Sequence, residues 1–566
     1  MAEQKQITMD TIEVLKPPVA DAGPPGNTPL VEPITEPLDV LETPKVRTRL
    51  RIYTILSALY LVTFTAALDQ TVVATSIPTI SASLHSASGY IWIGGAYVLA
   101  NAASGPIWAK CSDIFGRKPA LLAAVVGFAI ASLIAALSVN MPMLIAARAL
   151  QGTAGGGLLQ LVSIVISDLF SVRNRSLYFG LLGLMWAVAA SAGPLVGGAL
   201  TQLVNWRWCF WINLPVCGFA FVLLLFFLDV HNPRTKLRDG IRALDWFGTF
   251  SILGVTLLLL LGLDFGGAIF PWNSPKVICL IVFGAVMIGF FLFSEKRLAK
   301  YPLMPLSVFK SPSNVAVILV ALAHNMAAIG HEYYLPLYFQ SVKQASPLHS
   351  GILIIPMMIT EAIVDIAVGF FINRTGRYRE VIWAGAAFLT LGTGLYISFG
   401  PDTSVAKIIG FEILGGPGPG LLFQAPMIAI QNTVSQADTA SATSTLGFIR
   451  NLGTALSIVL GGVVFQNSMN TRHSSLVAAG LSDSVLEALS GDHAAANVEI
   501  VQTIQDAAQR RAAVDAYAWS VRNMFIMYTG IAGVGLVASA FIKHRRLKTE
   551  HTETKTGIEN MTERES

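Results

Sequence analysis

Runs of about 20 mostly apolar residues recur fourteen times along this chain, and nothing else in it constrains the fold as strongly. A segment of that length matches the hydrocarbon thickness of a bilayer, where each backbone polar group must be satisfied within its own segment. The spacing predicts membrane helices over 51–70, 88–109, 119–139, 142–168, 176–203, 208–228 and 244–264. A second set follows over 276–294, 313–340, 348–372, 380–400, 404–430, 442–467 and 520–542. Only 13% of residues are charged, about half the share in a soluble globular chain. The expected class is therefore an all-α polytopic membrane protein. A soluble enzyme and a nucleic-acid binder are both disfavoured.

Basic residues set the expected orientation, since Lys and Arg in short loops mark the cytosolic side. Lys110, Arg117 and Lys118, then Arg173 and Arg175, then Arg374, Arg377 and Arg379 all fall on one side, together with both termini. The sequons at Asn174, Asn373 and Asn560 lie on that same side, where glycosylation does not occur. Residues 1–49, Pro-rich and polar, are expected to be a disordered cytosolic tail, and 546–566 a second tail. The four cysteines, Cys111, Cys209, Cys217 and Cys279, form no metal or redox pattern.

The chain contains an internal repeat. "SDIFGRKPALL" returns as "GFFINRTGRYREVI", with Gly116 and Arg117 aligned on Gly376 and Arg377, and Asp113 on Asn373. "LIAARALQGTAGGG" then lies over "IIGFEILGGPGPG", placing Arg148 opposite Glu412. The reading is a six-helix unit used twice, over 50–228 and 313–545, with two extra helices within 229–312 and an external polar segment over 468–519. Parallel repeats of this kind are one plan for secondary transporters.

Several of these segments resemble the major facilitators, specifically the fourteen-helix drug:proton antiporters and their fungal members. "LDQTVVATSIPTI" is similar to the first-helix motif, "AKCSDIFGRK" to the loop motif and "RALQGTAGGG" to the fourth-helix motif. "GPLVGG" is similar to the end of the fifth-helix antiporter motif, and "NWRWCFWINLP" and "YYLPLYFQ" to the fungal branch. Ala109, Ala154 and Ala189 depart from the pattern, small residue for small residue. The resemblance implies a conformational latch at Asp113, Gly116, Arg117 and Lys118, mirrored at Asn373, Gly376 and Arg377. It implies a bend at the domain interface from Gly193, Pro194, Gly197 and Gly198, for which ordinary helix packing is the alternative. It also implies places for Asp69 and Arg148 in the N-terminal half of a central cavity, in a proton-coupling or cavity role with Arg148 near the proton-coupling machinery, and a structural interhelical pair is the alternative.

The residues themselves point to further positions. Ionisable groups inside a span are costly and face a cavity or a partner. His324 and His331 share a helix face seven residues apart, with Glu332 adjacent; Glu361 and Asp365 share one four apart. Glu361, Asp365 and Glu412, with His331 and Glu332, are candidates for proton coupling or a cavity role. Pairing of Glu361 with Arg450 or His324 is the structural alternative. Gln70, Trp186, Tyr333, Tyr334, Phe423 and Gln424 are candidates for lining a substrate cavity, against interfacial anchoring.

No phosphate-cradling G-x-x-x-x-G-K-[ST] run occurs, which disfavours ATP-driven pumping. The expected function is proton-coupled export of small amphipathic organic molecules from a fungal plasma membrane, by a monomer with no cofactor beyond the proton gradient and no metal. A proton-coupled importer, as of siderophore–iron complexes, and a non-transporting receptor are the alternatives. No catalytic constellation points to an enzyme.

Overall fold

The computed structural model of the chain describes residues 48–84, 90–267, 270–491, 493–495, 497–549 and 554–561. Nearly all of the expected N-terminal tail lies outside them. Fourteen long helical segments run through the rest. The first six are α1 (Arg49–Ser83), α2 (Tyr90–Phe115), α3 (Arg117–Ala136), α4 (Met141–Leu169), α5 (Val172–Leu203) and α6 (Trp208–Phe227). Between the halves come α7 (Trp246–Phe265) and α8 (Pro275–Phe293). The last six are α9 (Pro312–Ser341), α10 (Pro347–Thr375), α11 (Tyr378–Tyr396), α12 (Val405–Gln431), α13 (Thr439–Ala478) and α14 (Ala507–Ser539).

Among the described residues, 12 helices are long and apolar enough to cross a membrane. The two outside that set are α2 and α11. They are 26 and 19 residues long, or about 39 and 28 Å at helical rise. In α2 the charge-free stretch 90–109 is diluted by Gly94, Gly95, Asn101, Ser104, Gly105 and Pro106, and in α11 Arg379 and Glu380 fall within the apolar stretch.

The two halves repeat one packing plan. α1 packs on α5 and α6, α2 on α4, and α3 on α4 and α6. Eight positions further on, α9 packs on α13 and α14, α10 on α12, and α11 on α12 and α14. The halves meet along two seams that are repeats of each other, α5 against α10 and α2 against α13. The extra hairpin α7–α8 leans on the second seam, through contacts of α7 with α2 and α13.

One expectation needs correction. The segment 468–519, expected as one polar external stretch, is mostly taken up by the flanking helices: α13, 40 residues long, runs on to Ala478 and α14 begins at Ala507, with two short helices, Asp483–Ala488 and Ile500–Thr503, between them. Leu476, Val501 and Tyr517 bury an apolar core there that a hydropathy window misses. Span twelve is divided at Gly416, where Pro417 supplies no N–H and begins a new helical stretch.

Candidate functional site

Asp69 of α1 and Arg148 of α4 form a buried ion pair, Nη1 to Oδ2 at 2.5 Å. The pair sits inside a closed polar network. Arg148 also donates to Gln151 Oε1 (2.6 Å) and, through Nε, to the Ile93 carbonyl (2.9 Å). Asp69 Oδ1 accepts from Gln151 Nε2 (2.7 Å) and Asn213 Nδ2 (2.8 Å), and Ser132 Oγ accepts from both amides. The guanidinium lies over the Tyr97 ring, 4.5 Å from its centroid. All five polar side chains are buried. Four helices, α1, α3, α4 and α6, are thereby bound together, which is the structural alternative for Asp69 and Arg148. Sequence reading missed Gln151, Ser132 and Asn213, since an uncharged residue in an apolar span gives no signal of what it faces.

The loop after α2 builds a second buried cluster. Gly116 turns the chain at φ 99°, a conformation open to glycine and strained for other residues. Arg117 then points back between α2 and α4, donating to Asp113 Oδ1 (2.5 Å), Ser112 Oγ (2.7 Å) and Asp168 Oδ2 (2.7 Å). A latch across the domain interface would need partners in the other bundle, whereas these partners all belong to the N-terminal bundle. Lys118 donates to the Leu225 carbonyl of the same bundle. The repeat loop does not mirror this arrangement. Gly376 is a left-handed helix cap and Arg377 is exposed, while Asn373 reaches the other bundle through Asn174 (2.9 Å).

The hydrogen bonds that tie bundle to bundle gather at the face carrying these two Gly-Arg loops, here the latch face. Arg173 donates to the Asn373 and Arg374 carbonyls. Arg175 donates to Gln431 and Gln436 (3.2 and 3.3 Å), Ser176 to the Gly369 carbonyl (3.1 Å), and Gln431 to Ser167 (2.9 Å). Above them, Gly180 and Gly183 of α5 pack directly on Asp365 of α10. Towards the opposite face Leu195 of α5 and Leu348 and Ile352 of α10 are exposed. Sequence reading counted Arg173 and Arg175 only as topology charges; they clamp the seam.

Among the described residues, two buried acids of the C-terminal bundle, Asp365 and Glu412, form no ion pair, although Arg450 lies within electrostatic reach of Asp365. Asp365 is buried, with Oδ1 accepting from Gln424 Nε2 (2.8 Å) and Oδ2 unpartnered. Glu412 is fully buried and neither carboxyl oxygen has a hydrogen-bond partner. Glu361 is half-buried, within electrostatic reach of Glu332 and Asp365. Neither Arg450 nor His324 pairs with it: Arg450 caps the Phe423 carbonyl, and both ring nitrogens of His324 are unpartnered. His331 bonds Thr393 Oγ1 (2.9 Å) and meets Tyr396 edge-on. Arg148 and Glu412, aligned in the repeat, thus have opposite surroundings.

The remaining expectations divide. Gly193 and Gly197 pack on Thr71, Val72 and Thr75 of α1, within the N-terminal bundle, which corrects their placement at the domain interface. Gly198 meets nothing within 4 Å, and Pro194 lies inside an unbroken helix. Tyr334 is core, its hydroxyl donating to the Ile458 carbonyl (2.5 Å), and Trp186 packs on an α1 cluster with Ala67 and Val72. Tyr333 and Glu332 are exposed; Gln70 and Phe423 are half-buried, Phe423 close to Gly183 on the seam.

The family model of the Major Facilitator Superfamily matches residues 59–458. The chain is a major facilitator. It is accordingly a multi-pass membrane transporter and not an enzyme, and its two six-helix bundles are the facilitator's two halves. Among relatives, this facilitator is 45% identical over 505 residues to efflux pump dotC of Dothistroma septosporum, covering 89% of this chain and 86% of that one. It is 45% identical to the MFS-type transporter ppz2 of Metarhizium majus, covering 90% and 88%. In fold it is similar to the human organic anion transporter MFSD10, with TM-score 0.54 at 15% identity, covering 86% of this chain and 99% of that one.

Proposed function

We propose that this facilitator exports small amphipathic organic molecules, secondary metabolites or drugs, in exchange for protons, across a fungal plasma membrane. The observation that carries the export reading is the 45% identity to a fungal efflux pump along nine-tenths of the chain. In this reading the latch face is cytosolic, both termini lie there, and the structure is the outward-facing state of a monomer. Transport rocks the halves about the α5–α10 and α2–α13 seams.

Proton exchange is supported by Asp365 and Glu412, buried carboxyls with unpartnered oxygens, one of them on a seam. A carboxyl that gains or loses a proton there changes the charge the seam must bury. No bound cofactor enters; the proton gradient supplies the energy.

Expression in an efflux-deficient yeast with rhodamine 6G as probe tests this. Active extrusion of the dye, lost on adding a protonophore, is expected. Extrusion that survives collapse of the gradient sinks proton exchange; net uptake in place of extrusion sinks export.

A further inference from the structure

We infer that the chain's own C-terminal segment, residues 554–561, is a strap that docks across the latch face and holds the two bundles together there. The segment belongs to neither bundle, yet it is hydrogen-bonded to both. The Thr554 hydroxyl donates to Asp168 Oδ1 of α4 (2.6 Å) and accepts from Gln436 Nε2, beyond α12 (2.8 Å). One oxygen thus bridges the N-terminal and C-terminal halves. Asp168 is the carboxylate whose other oxygen holds Arg117, so the strap caps the buried latch cluster directly.

The next residues lie in a fitted site. The Thr556 N–H donates to His231 Nδ1 (3.0 Å), and the Gly557 N–H to the Asp113 carbonyl (2.8 Å). Gly557 has φ 111°, and a Cβ there would stand 2.6 Å from Pro233 Cβ, so conformation and space both require glycine. Thr554 and Thr556 are buried, at 6% and 4% exposure. The upstream chain is pinned on the same face: the Arg173 N–H donates to the Lys548 carbonyl, and Asn432 to the Arg545 and Arg546 carbonyls.

A side-chain hydrogen bond no longer exists once its partners are about 3.6 Å apart. Thr554 can therefore hold Asp168 and Gln436 together only while the bundles stay closed. Opening the latch face strips one partner, and a docked strap biases the equilibrium towards the closed state by its differential contacts. The inference rests on the reading that this face opens during transport.

The test measures closure itself, so that its failure is separate from a failure of dye export. Asn174→Cys and Asn373→Cys, whose native side chains touch across the seam, are introduced together into the full chain in membranes and oxidised, with each single variant as background for the native cysteines. Cross-linking is then compared with the same pair in a chain ending at Thr549, and in Thr554→Val and Thr554→Ser backgrounds. Yield is expected to fall severalfold on truncation and with Thr554→Val, and to be retained with Thr554→Ser, which keeps the hydroxyl. Equal yields with and without the segment overturn the strap. So does absence of cross-linking in the full chain, which would mean the face it closes is not closed.

Discussion

Gly183 of α5 faces the Asp365 carboxyl of α10 with no room for a methyl group between them. The contact joins the two halves of the protein, and the oxygen it covers, Oδ2, has no other partner. Whatever separates α5 from α10 therefore uncovers Asp365.

Gly183→Ala is expected to overpack this seam by about 1–3 kcal/mol. Cross-linking across the latch face should fall by roughly tenfold and dye export with it. Gly198→Ala, at a position with nothing within 4 Å, should leave both unchanged. Equal effects of the two would show that the seam tolerates the methyl.

Asp365→Asn keeps an acceptor for Gln424 but cannot exchange a proton. Export by this variant is expected to lose its response to the pH gradient while the protein still folds and cross-links. Export measured with and without protonophore decides it; a response equal to wild type removes Asp365 from proton exchange.

Arg148→Ala leaves Asp69 as a buried charge without its cation, which costs about 3–5 kcal/mol. Loss of folded protein from membranes, read by detergent-extracted melting, is the expected outcome. Arg148→Lys should not rescue it, because one ammonium cannot match Nε on Ile93 and Nη1 on both Asp69 and Gln151. A stable, transport-dead Arg148→Ala would instead favour a coupling role.

Asp168→Asn should harm latch-face closure more than Asp113→Asn. Asp168 holds Arg117 through one oxygen and Thr554 through the other, whereas Asp113 supplies only one side-chain acceptor to Arg117. Arg377→Ala, on the exposed repeat loop, should change cross-linking yield little. The reverse order would restore the picture of two equivalent latches.

Gly420→Ala would place a methyl 2.5 Å from the Glu361 carbonyl of α10. Backbone cannot yield as a side-chain tip does, so several-fold lower folded yield is expected, measured by size-exclusion chromatography. Normal yield would show that α12 can shift away from α10.

The helical segments and the repeat were legible in the sequence because each depends on local composition. The Gly-Arg spacing aligned Gly116 with Gly376, and both turn the chain at positive φ. It misled about Arg117 and Arg377, since matched letters do not carry matched neighbours: one side chain is enclosed by α2 and α4, the other is exposed. Asp69, Arg148 and Asp365 stood out as charges in apolar spans, but Gln151, Asn213 and Ser132 did not.

Taken alone, the sequence determined an all-helical membrane chain, its repeat and the positions where polarity interrupts apolar helices, because these follow from the bilayer's demand on each segment separately. The tertiary structure alone decided which of those polar groups are paired and which are not. Asp69 meets a cation on α4, while Glu412 meets none and Asp365 meets a glycine of the opposite half. Pairing depends on which helices lie side by side across hundreds of residues, and helix adjacency is set by packing of whole bundles, which no local window contains.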